Sequence, residues 1–135
     1  MAESFKFELV SPERLLVSMD AESVVIPGSE GEMTVMARHA PVMTTVKPGV
    51  IEIFGANGEK ESFVIFGGFA DILPEGCTLL AESAVRVSEI DRDDLEKRVQ
   101  DAREDVQDAS DEASRSKAEE YLQQLITLQA AVSAS

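Results

Sequence analysis

The sequence predicts a mainly β N-terminal sandwich of about ten short antiparallel strands, followed by a C-terminal antiparallel α-helical hairpin. Two observations carry that division. Up to about residue 87, short β-branched and aromatic runs alternate with glycine, proline and asparagine. From Ser88 to Ser135 there is neither glycine nor proline, and strong helix formers take over. The expected domains are therefore 1–87 for the β part and 88–135 for the hairpin.

The first strand is expected where Phe5, Phe7 and Leu9 alternate with Lys6, Glu8 and Val10, the period of two that marks a half-buried strand. Ser11-Pro12-Glu13 ends it, because proline fixes its own φ and restricts its neighbour. Leu15 to Met19 and Ser23 to Ile26 read as the next two strands, Pro27 to Gly31 as a loop, and Glu32 to Met36 as a further strand. Apolar residues return at Val42, Met43 and Val46 before the turn Lys47-Pro48-Gly49. Val50 to Phe54 and Ser62 to Phe66 flank a stretch containing Asn57-Gly58, a pair that favours the positive φ angles of a hairpin turn. Gly67-Gly68 suggests a bulge or a close backbone approach before Phe69 to Leu73, and Cys77 to Ala81 follows Pro74-Glu75-Gly76.

In the C-terminal part Asp91 is the expected N-cap, with Asp93 and Asp94 in a first turn where the helix dipole favours negative charge. Leu95, Val99, Ala102 and Val106 form one narrow apolar stripe. A turn is expected within Ser110 to Ser116, with Ser116 and Glu119 at capping-box spacing and Ser110 or Ser114 as other caps. A second stripe runs through Ala118, Tyr121 or Leu122, Leu125, Leu128 and Val132. Each stripe is too narrow to stand alone in water, so the helices pair, and their small apolar side chains predict marginal docking.

Composition restricts the partners. A formal net charge of -14 on 135 residues repels phosphate backbones and anionic lipid, so neither nucleic acid nor direct membrane binding is expected. No run of about 18 apolar residues occurs, and the N-terminal Met1-Ala2-Glu3-Ser4-Phe5-Lys6 lacks a signal pattern. The expectation is a protein that stays where it is made. One cysteine, Cys77, excludes an internal disulfide.

Nor do the residues assemble an active site. His39 is the sole histidine and reads as a loop or packing residue; Cys77 reads as a buried structural thiol. Gly28-Ser29-Glu30-Gly31-Glu32 has the glycines of a phosphate cradle but two carboxylates, no lysine and no following helix. It reads as a turn or an exposed contact loop. The C-terminal carboxylates lack the ligand spacing and central glycine of a calcium loop, which leaves them as a solvated face. No metal and no cofactor is expected, and the sequence reads as a binding or coupling module.

A β domain followed by an acidic helical hairpin, in that order, resembles the epsilon chains of bacterial F-type ATP synthases. The residues that carry the resemblance are Val10-Ser11-Pro12-Glu13, Pro27 to Met33, His39-Ala40-Pro41 with Lys47-Pro48-Gly49, Gly67-Gly68-Phe69, and Leu79 to Ala84. The match runs along the whole sequence in order, specific through residue 87 and general in character beyond it.

The resemblance implies a non-catalytic subunit of the central stalk of a proton-translocating enzyme, peripheral at the cytoplasmic face of the bacterial inner membrane. It implies contact with the membrane rotor ring, the c-ring, through Ser29, Glu30, Gly31 and Glu32, where acidic residues would meet basic ring loops. Ser11, His39 and Thr44 match family positions that lie towards the gamma subunit. In some family members the hairpin inhibits hydrolysis at the beta subunit, or binds ATP through an Ile/Leu-Asp-x-x-Arg-Ala motif. Here Ile90-Asp91 begins that motif, but Asp94 and Leu95 replace the arginine and alanine, and no basic residue occurs from Ala118 to Ser135. ATP binding is therefore expected to be absent or very weak, and inhibition weakened or lost. The alternative reading is a β-sandwich adaptor with a coiled-coil tail, unrelated to the synthase.

Overall fold

A computed structural model describes residues 3–133 and divides the protein into two compact units, Met1–Val87 and Ser88–Ser135. Met1 and Ala2, on which the absence of a signal pattern partly rests, lie outside the described residues, as do Ala134 and Ser135.

Among the described residues the first unit holds nine strands, in line with the expected number: β1 (Phe5–Val10), β2 (Leu15–Gly28), β3 (Gly31–Met36), β4 (Val42–Val46), β5 (Gly49–Gly55), β6 (Lys60–Ile65), β7 (Gly68–Leu73), β8 (Gly76–Ala81) and β9 (Ala84–Arg86). One layer runs β2-β1-β8-β7-β4 and the other β3-β2-β5-β6-β9. All ladders are antiparallel except that between β1 and β8. The alternation read in β1 is the observed one, with Phe5, Phe7 and Leu9 buried. With Ile26, Ile51, Ile53, Ile65, Ile72 and Leu79 they fill the space between the layers. Burying each of these residues stabilises the domain by about 1.5–3 kcal/mol.

The two strands expected at 15–19 and 23–26 are one. Asp20-Ala21-Glu22 contains neither glycine nor proline, so the backbone bends and continues, with a register shift between Ala21 and Ser23. The first half of β2 pairs with β1 and the second half with β3 and β5, so this strand belongs to both layers.

The loop expected at 27–31 shrinks to a two-residue turn, Ser29-Glu30, between the facing Gly28 and Gly31. In the β5–β6 hairpin it is Gly58 alone, not Asn57, that takes a positive φ, of 90°. Asn57 instead accepts a hydrogen bond from the Glu59 N–H at 3.2 Å through its side-chain oxygen. The close approach expected at Gly67-Gly68 is present: a side chain at Gly68 would run into the Leu80 carbonyl on β8.

The second unit is a helical pair, α1 (Arg92–Asp108) and α2 (Glu112–Ser133), in contact with each other. Asp91 is the N-cap of α1, its carboxylate accepting from the Asp93 and Asp94 N–H groups at 2.9 and 3.3 Å. Leu95, Val99 and Ala102 are buried and Val106 half-buried. On α2 the stripe runs through Leu125, Leu128 and Val132, and Leu122 rather than Tyr121 takes the inner position. The Gln129 amide donates to Glu96 at 2.6 Å, which sets the end of α2 beside the start of α1.

The cap of α2 is not a serine. Asp111 accepts from the Ser114 N–H at 2.7 Å, and Ser114 and Ser116 lie inside the helix. An ionised carboxylate is a stronger acceptor than a hydroxyl at the positive end of a helix. That hydrogen bond, with a second from the Ser114 side chain, holds the Asp111 carboxyl below its usual 3.8. The cap is therefore fully formed at neutral pH and lost as the pH falls below 3.8.

Candidate functional site

Residues facing outward on the β2-β1-β8-β7-β4 layer can be followed across it by register. Thr45 lies opposite Phe69, Phe69 opposite Leu80, Leu80 beside Val10, and Val10 opposite Leu15. Side chains so paired stand about 5 Å apart, so they form a continuous row. Phe69, Leu80 and Leu15 are 54%, 50% and 52% exposed, and Val10 is half-buried. The next row on the same face, Met43, Asp71, Thr78, Glu8 and Ser18, is largely polar. An apolar row open to water on a protein of net charge -14 is the feature of this surface that core packing does not account for.

The row lies along one rim of the layer. There the Ser29 N–H donates to the Thr45 carbonyl at 2.9 Å, the Lys47 N–H to Pro27 at 3.0 Å, and the Glu82 N–H to Gly67 at 3.0 Å. These bonds set the Ser29-Glu30 turn at the β4 corner of that rim. Ser29, Glu30, Gly31 and Glu32 are all exposed, and neither carboxylate has an ion-pair partner among the described residues.

Ser11, His39 and Thr44 do not form one patch. Ser11 follows Val10 at the same rim, its hydroxyl donating to the Arg14 carbonyl at 3.3 Å. Thr44 is half-buried in the middle of β4, and its neighbours Met43 and Thr45 face outward. His39 lies at the opposite rim, where the preceding Arg38 N–H donates to the Pro74 carbonyl at 3.0 Å. Arg38 itself adopts a φ of 64°, and a hydrogen bond of 2.8 Å joins His39 Nδ1 to the Ala40 carbonyl. A carbonyl oxygen only accepts, so that bond places the proton on Nδ1.

Cys77 is buried, with its thiol pushed up to about 12 by desolvation and, secondarily, by the charge of Asp71. Folding then favours the neutral thiol. The stability it lends is complete below the ordinary value of 9.0 and declines as the pH rises from there towards 12. The native protein is expected to resist a thiol-specific reagent at pH 8 and to react only as fast as it opens; rapid stoichiometric labelling would contradict this burial.

Among the described residues no group of three His, Cys, Asp or Glu is placed to hold a metal ion. At the start of α1, Ile90 is half-buried, the Asp91 carboxylate is occupied as a cap, and Asp94 pairs with Arg98 at 3.4 Å.

Comparison with known families accounts for nearly every residue. Residues 4–87 match the model of the beta-sandwich domain of the ATP synthase Delta/Epsilon chain, and residues 91–134 that of the C-terminal domain of the ATP synthase epsilon chain. The protein is 67% identical over 132 residues to the ATP synthase epsilon chain of Mesorhizobium japonicum, with 98% of each covered. It belongs to the ATP synthase epsilon chain family. A second epsilon chain, from Chelativorans, is 64% identical, again with 98% of both covered. Among solved structures, a subunit of the Euglena gracilis mitochondrial ATP synthase superposes with a TM-score of 0.76 at 29% identity, covering 98% of this protein and 83% of that one. A subunit of the Tetrahymena thermophila enzyme shares the fold at a TM-score of 0.64 and 12% identity, with 96% of each covered. An unrelated adaptor with a coiled-coil tail is not supported, since both parts match the models of a single type of subunit, in order. The apolar row is hidden in the sequence because its members come from β1, β2, β4, β7 and β8. The available signal is a break in alternation, Phe69 before buried Ala70 and Leu80 after buried Leu79.

Proposed function

We propose that this epsilon-family protein is a non-catalytic coupling part of the central stalk, joining the gamma subunit to the c-ring at the cytoplasmic face of the bacterial plasma membrane. The exposed apolar row is the observation that carries it, because an anionic protein keeps such a row only where another surface covers it. Gamma is the partner assigned to that row, with Ser11 at its margin and His39 contacting gamma separately at the far rim; Thr44, on the inward side of β4, does not reach the row. The acidic turn Ser29, Glu30, Gly31 and Glu32 is assigned to the ring. Its carboxylates are unpaired among the described residues and would complement basic ring loops. The similar Euglena subunit comes from an assembly that includes a c-ring, which supports the ring as a partner. No described helix is long and apolar enough to cross a membrane, so association through the complex suffices.

Co-purification tests this reading. The tagged protein is expected to bring down gamma in a fixed one-to-one ratio, and with it the ring; recovery of neither from the assembled enzyme overturns the assignment.

For the hairpin we propose coupling without effective nucleotide control. Ile90 and Asp91 are a vestige of the nucleotide motif, since the Asp91 carboxylate already caps α1 and Asp94 would repel a polyphosphate. Adding millimolar ATP is expected to leave the NMR shifts and melting temperature of the isolated protein unchanged. Removing residues 89–135 is expected to change hydrolysis by the assembled head little. Saturable ATP binding, or strong activation on truncation, would restore the regulatory role.

A further inference from the structure

Where the apolar row ends at Leu80, Val10 and Leu15, the surface opens into a cleft of about 230 Å³. One wall is the connection from Ser11 to Arg14 together with Leu16, and the other is the turn from Glu82 to Ala84. Both walls are fixed by backbone. The Ser11 N–H donates to the Arg14 carbonyl at 2.9 Å, and the Glu82 N–H to the Gly67 carbonyl at 3.0 Å. Glu13, Arg14 and Glu82 all line this cleft, yet none forms an ion pair with another or with any described residue.

An arginine beside two carboxylates ordinarily closes onto one of them. Here the three charges stay apart around an open space, with one negative charge in excess. A concave site with excess carboxylate focuses a negative potential, which the net charge of -14 reinforces. The cleft is also contiguous with the apolar row, so a partner covering the row brings its own margin over it. Polar rims around an apolar centre are where charged side chains of a partner come to rest.

We propose that this cleft receives a lysine or arginine side chain from the subunit that covers the apolar row, held by Glu13 and Glu82. The inference rests on the reading that gamma is that subunit, and adds the chemistry of the side chain at its margin. Arg14 then opposes the incoming charge, so removing it should strengthen the complex where removing the carboxylates weakens it.

The test measures association of the full-length protein with purified gamma as a function of salt. Glu13→Gln with Glu82→Gln is expected to weaken binding about tenfold at low salt and to flatten its salt dependence. Arg14→Gln is expected to tighten binding. All three positions are exposed, so circular dichroism and melting should match the parent. If the parent binds gamma but the double variant binds equally well with the same salt slope, the cleft has no such role. The role is equally excluded if Arg14→Gln weakens binding as much as the double variant does. If the parent protein does not bind gamma at all, the underlying reading falls, and this inference with it.

Discussion

Gly68→Ala is expected to destabilise the β domain by roughly 3–5 kcal/mol, enough to leave much of the protein unfolded at physiological temperature. Two effects add. Gly68 has a φ of 154°, which L side chains rarely adopt. Its Cβ would also overlap the Leu80 carbonyl and come within 2.9 and 3.0 Å of the Leu80 carbonyl carbon and the Ala81 Cα. Those atoms belong to the backbone of β8 where it pairs with the start of β7, and cannot rotate aside as a side chain could. Gly58→Ala supplies the contrast. Its φ is 90° but no atom lies within 4 Å of the added Cβ, so only backbone strain remains, about 1 kcal/mol. Urea denaturation of the two variants should separate them by several kcal/mol; equal midpoints would mean that β7 and β8 are not so closely apposed.

Phe69→Asp is expected to weaken association with gamma by at least about thirtyfold while leaving the fold intact. Phe69 is 54% exposed and is the aromatic member of the apolar row, flanked by Thr45 and Leu80. Aromatic side chains at the centre of an interface commonly contribute about 2 kcal/mol or more, and a buried unpaired carboxylate adds a further cost. Leu80→Asp should act in the same direction. Thr78→Ala, one row away on the same face, should change affinity by no more than about twofold. Binding isotherms with gamma decide it, provided each variant melts within a few degrees of the parent. Parental affinity in both aspartate variants would remove the row from the interface.

Particular residues show which features a sequence makes legible and which it hides. The period of two in Phe5, Phe7 and Leu9 survives because β1 lies between two neighbours, with one face in the core throughout. The Asp91 cap is legible for the same kind of reason, since it depends only on the next three residues. β2 reads as two strands because its corner at Ala21 is imposed by two sets of neighbours, not by local turn chemistry. The Asp111 cap is obscured by nearby serines, which offer the usual signal and compete with the carboxylate that takes the position. Of the candidate site, the acidic turn is local and visible in the sequence. The apolar row and its adjoining cleft arise only from strand register, and residues as distant in sequence as Val10 and Leu80 meet there.

The continuity of β2 has a mechanical consequence. One strand hydrogen-bonds to β1 in the first layer and, past its bend, to β3 and β5 in the second. Layers joined only by packed side chains can shear over one another, since dispersion contacts resist separation better than sliding. Here shear would have to break hydrogen bonds on both sides of the bend at Ala21 together. Under torque the domain should turn as one stiff piece, with little elastic lag between the face assigned to gamma and the rim assigned to the ring.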